Sequence, residues 1–204
     1  MTRDDIARLA AERPDFAAIA AWIPKGASVL DLGCGDGSLL RYLNETSAAK
    51  GYGVEINDLD IVSCIVNGVN VIQNDLDSGL SDFEDNAFDF VILSQTLQAT
   101  RHTEALIREM LRVGHEGIVS FPNFGYWKNR LRVLLGNMPV SRELPYQWYD
   151  TPNVHLCTLH DFEMFCDRYR VAILERRVMS GKRAVSLLPN LLGGMAVYRF
   201  QRGI

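Results

Sequence analysis

Apolar positions along this chain follow two rhythms that alternate. Short runs that are apolar almost throughout are separated by longer stretches in which apolar residues return every three or four positions. Phe88–Ser94 is of the first kind, β-rich and nearly free of polar residues, as a central strand buried on both faces should be. Thr103–Val113 is of the second kind, with Ala105, Leu106, Met110, Leu111 and Val113 set against Glu104, Arg108, Glu109 and Arg112. The same rhythms predict two short amphipathic helices near Asp4–Ala11 and Asp15–Trp22. Strands are then expected at Ser28–Leu32, Gly51–Ile56, Asn70–Gln73, Phe88–Ser94 and Gly117–Phe121, with helices at Ser38–Glu45, Leu59–Asn67 and Thr103–Val113. Strands alternating with helices at this spacing imply right-handed βαβ units and an α/β fold on a mostly parallel sheet.

The C-terminal part departs from that alternation. Thr158–Tyr169 reads as a helix, with Thr158 as N-cap and Asp161 in the first turn. Val171–Val178 and Met195–Gln201 are two β-type runs joined by a loop carrying Gly181, Pro189, Gly193 and Gly194. Successive strands without an intervening helix suggest an antiparallel hairpin that closes the sheet edge.

Composition narrows the class. A chain of 204 residues suits one domain, residues 1–204, with N-terminal helices up to residue 24. A net charge of −4 supplies no field for gathering phosphate backbones, which argues against nucleic acid as the main substrate. Cys34, Cys64, Cys157 and Cys166 are scattered without a CxxC pair, the usage of reduced thiols in a cytoplasm rather than of a disulfide framework or a zinc site. The alanine-rich start is broken by Arg3, Asp4, Asp5, Arg8, Glu12 and Arg13, so it lacks the continuous apolar core of a signal peptide. No window approaches the ~20 apolar residues of a membrane span. The expectation is a soluble cytoplasmic protein.

The chemistry gathers at strand ends. Ser28-Val-Leu-Asp-Leu-Gly-Cys-Gly-Asp-Gly37 is an apolar strand carrying Asp31, then three glycines spaced by two, then a helix start. Gly33, Gly35 and Gly37 would let a ligand approach backbone N–H groups that no Cβ shields. Ser38 stands where the G-x-G-x-x-G dinucleotide fingerprint wants its third glycine. The turn therefore suits a sulfonium amino acid, such as the methionyl part of S-adenosylmethionine, better than a pyrophosphate. Cys34 lies in the turn; its small size, rather than thiol chemistry, is the expected reason.

Glu55 ends the second strand 18 residues beyond Gly37, where an acid can accept both ribose hydroxyls. Ile56 would lie against a purine face, or by itself be no more than a core residue. Asp75 and the Leu76 N–H could meet the adenine edge, although Asp77 and Asp82 are neighbours able to serve, and Asp75 could instead make an Asx turn. Ser94 and Gln95 end the fourth strand and should border the reaction centre. No Asp-Pro-Pro-Tyr or Asn-Pro-Pro-Tyr run follows, which weakens a base-methylating reading.

An insert over residues 122–157 mixes Phe124, Tyr126, Trp127, Tyr146, Trp148 and Tyr149 with Lys128, Arg130, Arg132 and Arg142. Such a mixture marks binding surfaces, for a small acid or for a protein partner, and it could also be a stiff flap over the chain's own core. His155 and His160 have the residue type of a general base, but no nucleophile is paired with either in the sequence. No catalytic residue is assigned and no metal site is expected.

These residues together resemble a class I, seven-stranded, Rossmann-like S-adenosylmethionine-dependent methyltransferase fold, and within it the bacterial methionine biosynthesis protein MetW family. The resemblance rests on Val29–Gly37, Gly53-Val-Glu-Ile56, Asp75-Leu-Asp77, Phe88–Thr100, Val119–Phe124 and Leu144–Thr158. It implies S-adenosylmethionine, or S-adenosylhomocysteine, on the turn, and a role in methionine biosynthesis beside homoserine O-acyltransferase (MetX). Two functions are compatible with it. One is a partner subunit that supports or regulates homoserine acylation, and the other a stand-alone methyltransferase acting on a small molecule. A nicotinamide dehydrogenase is disfavoured by Ser38.

Overall fold

The structure, a computed structural model, describes residues 8, 9 and 11–203. The helix expected over Asp4–Ala11 falls largely outside them; Arg8 and Leu9 are helical. The first element described in full is α1 (Pro14–Ala20), which starts on a proline whose missing N–H has no helical role at that position.

The core is an open sheet. Strands β1 (Ser28–Leu32), β2 (Lys50–Glu55), β3 (Asn70–Gln73), β4 (Phe88–Ser94) and β5 (Gly114–Pro122) run parallel. They alternate with α2 (Ser38–Ser47), α3 (Asp58–Val66) and α4 (Thr103–Val113). After β5 come α5 (Trp127–Leu134), α6 (Leu159–Arg168), β6 (Val171–Ser180), the two-residue β7 (Arg183–Ala184), the short α7 (Pro189–Leu192) and β8 (Met195–Arg202). The sheet order is β3-β2-β1-β4-β5-β8-β6-β7. The expected elements therefore form with ends shifted by a few residues. The exceptions are α5, β7 and α7, which the apolar pattern did not announce.

The C-terminal strands pair antiparallel, as expected of a hairpin, but the returning strand lies inside the sheet. β8 sits between β5 and β6, with Val119 opposite Tyr198 and Val178 opposite Ala196. Burial decides this order. Met195–Tyr198 and Phe200 are buried, whereas the middle of β6 is exposed and carries Glu175 and Arg176. The strand without polar residues in its buried stretch takes the covered lane, and the charged one lies outside it, bordered only at its C-terminal end by the two-residue β7.

Alternation along the strands divides the core into two layers. Leu30, Leu32, Val91, Leu93 and Val119 face Leu106, Ile107 and Met110 of α4 and Leu159 and Phe162 of α6. Val29, Ile92, Ile118 and Val197 face Phe16 and Ile19 of α1 and Leu39, Leu40 and Leu43 of α2. The chain runs outward from β1 to β3, then crosses back to β4 on the other side of β1. Strand order thus reverses between β1 and β4, and a crevice opens at their C-terminal ends.

Candidate ligand site at the switch point

Three glycines shape the turn after β1. Gly33 has φ +68°, and a Cβ there would stand 2.6 Å from a Thr96 methyl, so the turn and the segment after β4 close on each other only because Gly33 has no side chain. Gly35 has φ +54° but nothing within 4 Å of a Cβ position; space lies open over its backbone. Gly37, with its Cβ position against Val69 and Cys64, instead packs inward and caps α2.

Glu55 holds this turn. Its Oε2 accepts the Gly35 N–H at 2.9 Å, and its Oε1 accepts the N–H groups of Ile56 and Asn57 at 2.8 and 2.9 Å. A carboxylate offers about four acceptor positions, so Glu55 keeps capacity for an outside donor. Ile56 beside it is 59% exposed, a bare apolar side chain at the mouth. Asp75 makes the Asx turn, its Oδ1 accepting the Asp77 N–H at 3.0 Å. Its second oxygen makes no hydrogen bond within that turn.

Six of the residues expected at the site line one cleft of about 270 Å³: Gly33, Glu55, Ile56, Asp75, Leu76 and Gln95. Asp77 lines it too, whereas Asp82 does not. Val54, Asn74, Thr96, Ala99 and Thr100 complete the wall and were not foreseen as ligand contacts. For Thr96, Ala99 and Thr100 a sequence signal was present, since they lie within five residues after Gln95, in and around the turn Leu97–Ala99 that follows the strand end. Gln95 itself takes φ +55°, held by its N–H donating to the Ser120 carbonyl at 2.9 Å.

Asp31 lies behind the turn. It is 1% exposed, and its Oδ1 has no hydrogen-bond partner among the described residues. Burial pushes its carboxyl up to about 8; Arg13 pulls it down, while Glu55 and Asp15 raise it further. A cation brought beside it would favour the ionised form.

The other expected residues stand outside the cleft. Cys34 is buried against Gly53, with its Sγ 3.7 Å from that of Cys64, and burial pushes its thiol far up. Ser94 is engaged from an unexpected direction. Its hydroxyl donates to Asp15 Oδ2 at 2.9 Å and accepts from Arg13 Nη2 at 2.9 Å, and Arg13 in turn pairs with the fully buried Asp15 at 2.8 Å. The Arg13–Asp15 pair at the start of α1 thus covers the end of β4. No local motif marks it, because the contact spans about 80 residues of sequence.

The insert divides its aromatic residues. Tyr126 is buried, whereas Trp148 and Tyr149 are 72% and 71% exposed, packed edge to face on each other. Leu134 and Leu135 are exposed as well. Arg130 donates to the Gly125 carbonyl at 2.6 Å and so braces the insert internally. His155 Nε2 lies 3.3 Å from the Arg101 carbonyl oxygen. No helix among the described residues is long and apolar enough to cross a membrane.

Comparison with known proteins agrees with this architecture. Among solved structures, an S-adenosylmethionine-dependent methyltransferase from Mesorhizobium loti matches with TM-score 0.68 at 19% identity, covering 94% of this chain and 98% of the other. One from Aquifex aeolicus matches with TM-score 0.64 at 16% identity, covering 98% of both. The [4+2]-cyclase SpnF matches with TM-score 0.67 at 17% identity, covering 95% of this chain and 82% of its own. These likenesses establish the fold, which is shared by proteins of different named activity. A protein of Rhodopirellula baltica, the bifunctional methionine biosynthesis protein MetXA/MetW, is 38% identical over 202 residues, 92% of this chain. The chain spans only 32% of that relative's length. The model of the methionine biosynthesis protein MetW family matches residues 13–200, and the chain belongs to that family.

Proposed function

We propose that this protein binds S-adenosylmethionine at the switch-point cleft and acts in the cytoplasm with homoserine O-acyltransferase, supporting or regulating homoserine acylation. The observation that carries the ligand assignment is the pair of acids around the glycine turn. Asp31 is a buried carboxyl with an unmet oxygen, suited to an ammonium group, and Glu55 at the cleft wall has acceptor capacity left for a hydroxyl. Ile56, Asp75 and Leu76 add an apolar face and a polar edge on the same wall, the combination a purine needs. When bound, S-adenosylmethionine supplies an electrophilic methyl on a sulfonium. The chain's own part is to hold the amino-acid end by Asp31 and the open Gly35 backbone, and the nucleoside end by Glu55 and the Asp75–Leu76 edge.

The partner assignment rests on the relative whose name joins MetXA and MetW in one polypeptide, about two thirds of which lies outside the match. The exposed Trp148, Tyr149 and Leu134 offer the type of surface that a separate acyltransferase subunit could cover. Two measurements test the proposal. Calorimetry on the pure protein should give heat with S-adenosylmethionine and S-adenosylhomocysteine; none with either, alongside binding of NAD, overturns the ligand. Acyltransferase activity and S-adenosylmethionine turnover, each measured with the two proteins together and apart, test the role. Methyl turnover by this chain alone, with acylation indifferent to it, would instead favour a stand-alone methyltransferase.

A further inference from the structure

A cavity of about 730 Å³ takes no part in the site proposed above. It lies across the Leu97–Ala99 turn from the smaller cleft: Thr96, Ala99 and Thr100 line the cleft, whereas Leu97, Gln98 and Arg101 line this cavity. Its floor is apolar, built from Leu97, Phe121, Phe162 and Phe165, and the rings of Phe121 and Phe162 are 5.0 Å apart. The end of the insert lines it from above through His155, Leu156 and Cys157. That segment is pinned by the Gln98 carbonyl, which accepts the N–H groups of Val154 and His155 at 2.8 and 3.0 Å.

The polar groups at its mouth differ in what they have left to offer. Both lining carboxylates are engaged. Asp161 Oδ2 accepts from the Thr158 N–H and hydroxyl at the start of α6, and Glu104 pairs with Arg108 at 2.7 Å. The remaining capacity is mostly for donation. The Arg101 side chain is 76% exposed, and its Nε lies 4.0 Å from Asp77. α4 begins at the mouth behind His102, which gives it no side-chain cap. Gln98 is turned to the protein rather than to the cavity: its Nε2 donates to the Gln95 carbonyl at 2.6 Å, and its Oε1 is closed to solvent.

We propose that this cavity is a second small-molecule site and takes an amphipathic carboxylate. Its acyl or aryl body would rest on the phenylalanine floor, and its carboxylate would meet Arg101. A volume of this size is usual for such ligands, as is a mostly apolar lining with a few convergent polar groups. The site stands whether or not the cleft beyond the turn binds S-adenosylmethionine.

The test is a fluorescence titration of the full chain with 8-anilinonaphthalene-1-sulfonate, an apolar ring system bearing one anion, without S-adenosylmethionine. Octanoate, octanol and octylamine are then used as competitors. One probe molecule should bind, and octanoate should displace it at about tenfold lower concentration than octanol, with octylamine weakest. Arg101→Glu should erase the advantage of octanoate over octanol. Ala105→Trp, at an exposed position of α4 that lines the cavity, should fill it and remove probe binding while the circular dichroism of the fold persists. Probe affinity unchanged in Ala105→Trp, displacement by octylamine equal to that by octanoate, or absence of probe binding would each overturn the proposal.

Discussion

The Glu55 carboxylate accepts the Gly35 N–H at 2.9 Å, so the end of β2 fixes the conformation of the turn that follows β1. One acid therefore has two duties: shaping the turn and facing the cleft that the turn borders. Glu55→Ala removes both at once. S-adenosylmethionine affinity should fall by about 1.5–3 kcal/mol, the range for lost hydrogen bonds to a charged acceptor. Calorimetry reads the affinity. Glu55→Gln, which keeps an acceptor but loses the charge, should fall between wild type and Ala.

Gly35 and Cys34 are adjacent and should respond in opposite ways. A Cβ at Gly35 would enter open space over the turn, at φ +54° where a β-branched residue is strained. Gly35→Val should abolish ligand binding. Cys34 points away from the cleft into Gly53 and Cys64, so Cys34→Ala should keep affinity within a few-fold and cost only packing, roughly 1 kcal/mol of stability. Equal losses of affinity in the two variants would show that the thiol meets the ligand.

Asp31 makes stability depend on pH with a definite sign. Its carboxyl is pushed up to about 8 by burial, whereas in the unfolded chain it titrates near the ordinary value of 3.8. Between these values the folded state holds a proton that the unfolded state has lost, so this group's contribution declines as pH rises from about 4 to about 8. Asp31→Asn should flatten that decline and raise the thermal midpoint at pH 8 more than at pH 5. The same variant should bind S-adenosylmethionine about tenfold more weakly or worse, because the ammonium loses its counter-charge. A variant that gained stability at pH 8 and kept full affinity would remove Asp31 from the site.

The Arg13–Asp15 pair should be structural and costly to break. Asp15 is fully buried and takes bonds from Arg13 and Ser94. Asp15→Ala removes the carboxylate that both groups bond and leaves the Arg13 charge without its counter-charge, and denaturant unfolding should show a loss of about 2–4 kcal/mol. Arg13 is itself partly exposed, which keeps the expected loss below the upper end for fully buried pairs.

For the partner surface, Trp148→Ala is the sharper probe and Arg130→Ala the weaker, since Arg130 is spent on the Gly125 carbonyl. Trp148→Ala should weaken association with homoserine O-acyltransferase by about 2 kcal/mol or more, as loss of an aromatic anchor does. S-adenosylmethionine affinity should be unchanged, because Trp148 does not line the cleft. Co-purification followed by calorimetry with each protein separates the two effects.

Much of this was legible in the residues themselves. Gly33, Gly35 and Gly37 mark a turn after β1, and Glu55 marks an acid at the next strand end; that Glu55 also accepts the Gly35 N–H and holds the turn came only with the fold. The apolar runs placed the parallel strands and their helices, because each side chain's face follows from a period of two or of 3.6 residues. Only the folded chain decided the rest. β8 took the lane between β5 and β6 because burial on both faces is a property of the whole sheet. Ser94 was drawn away from the cleft by Arg13 and Asp15, charged residues that read locally as one face of a helix. Asp31 acquired its unmet oxygen and raised titration only when the layers closed over it. Contacts between residues far apart in the chain leave no periodic trace in it, and these three outcomes depend on such contacts.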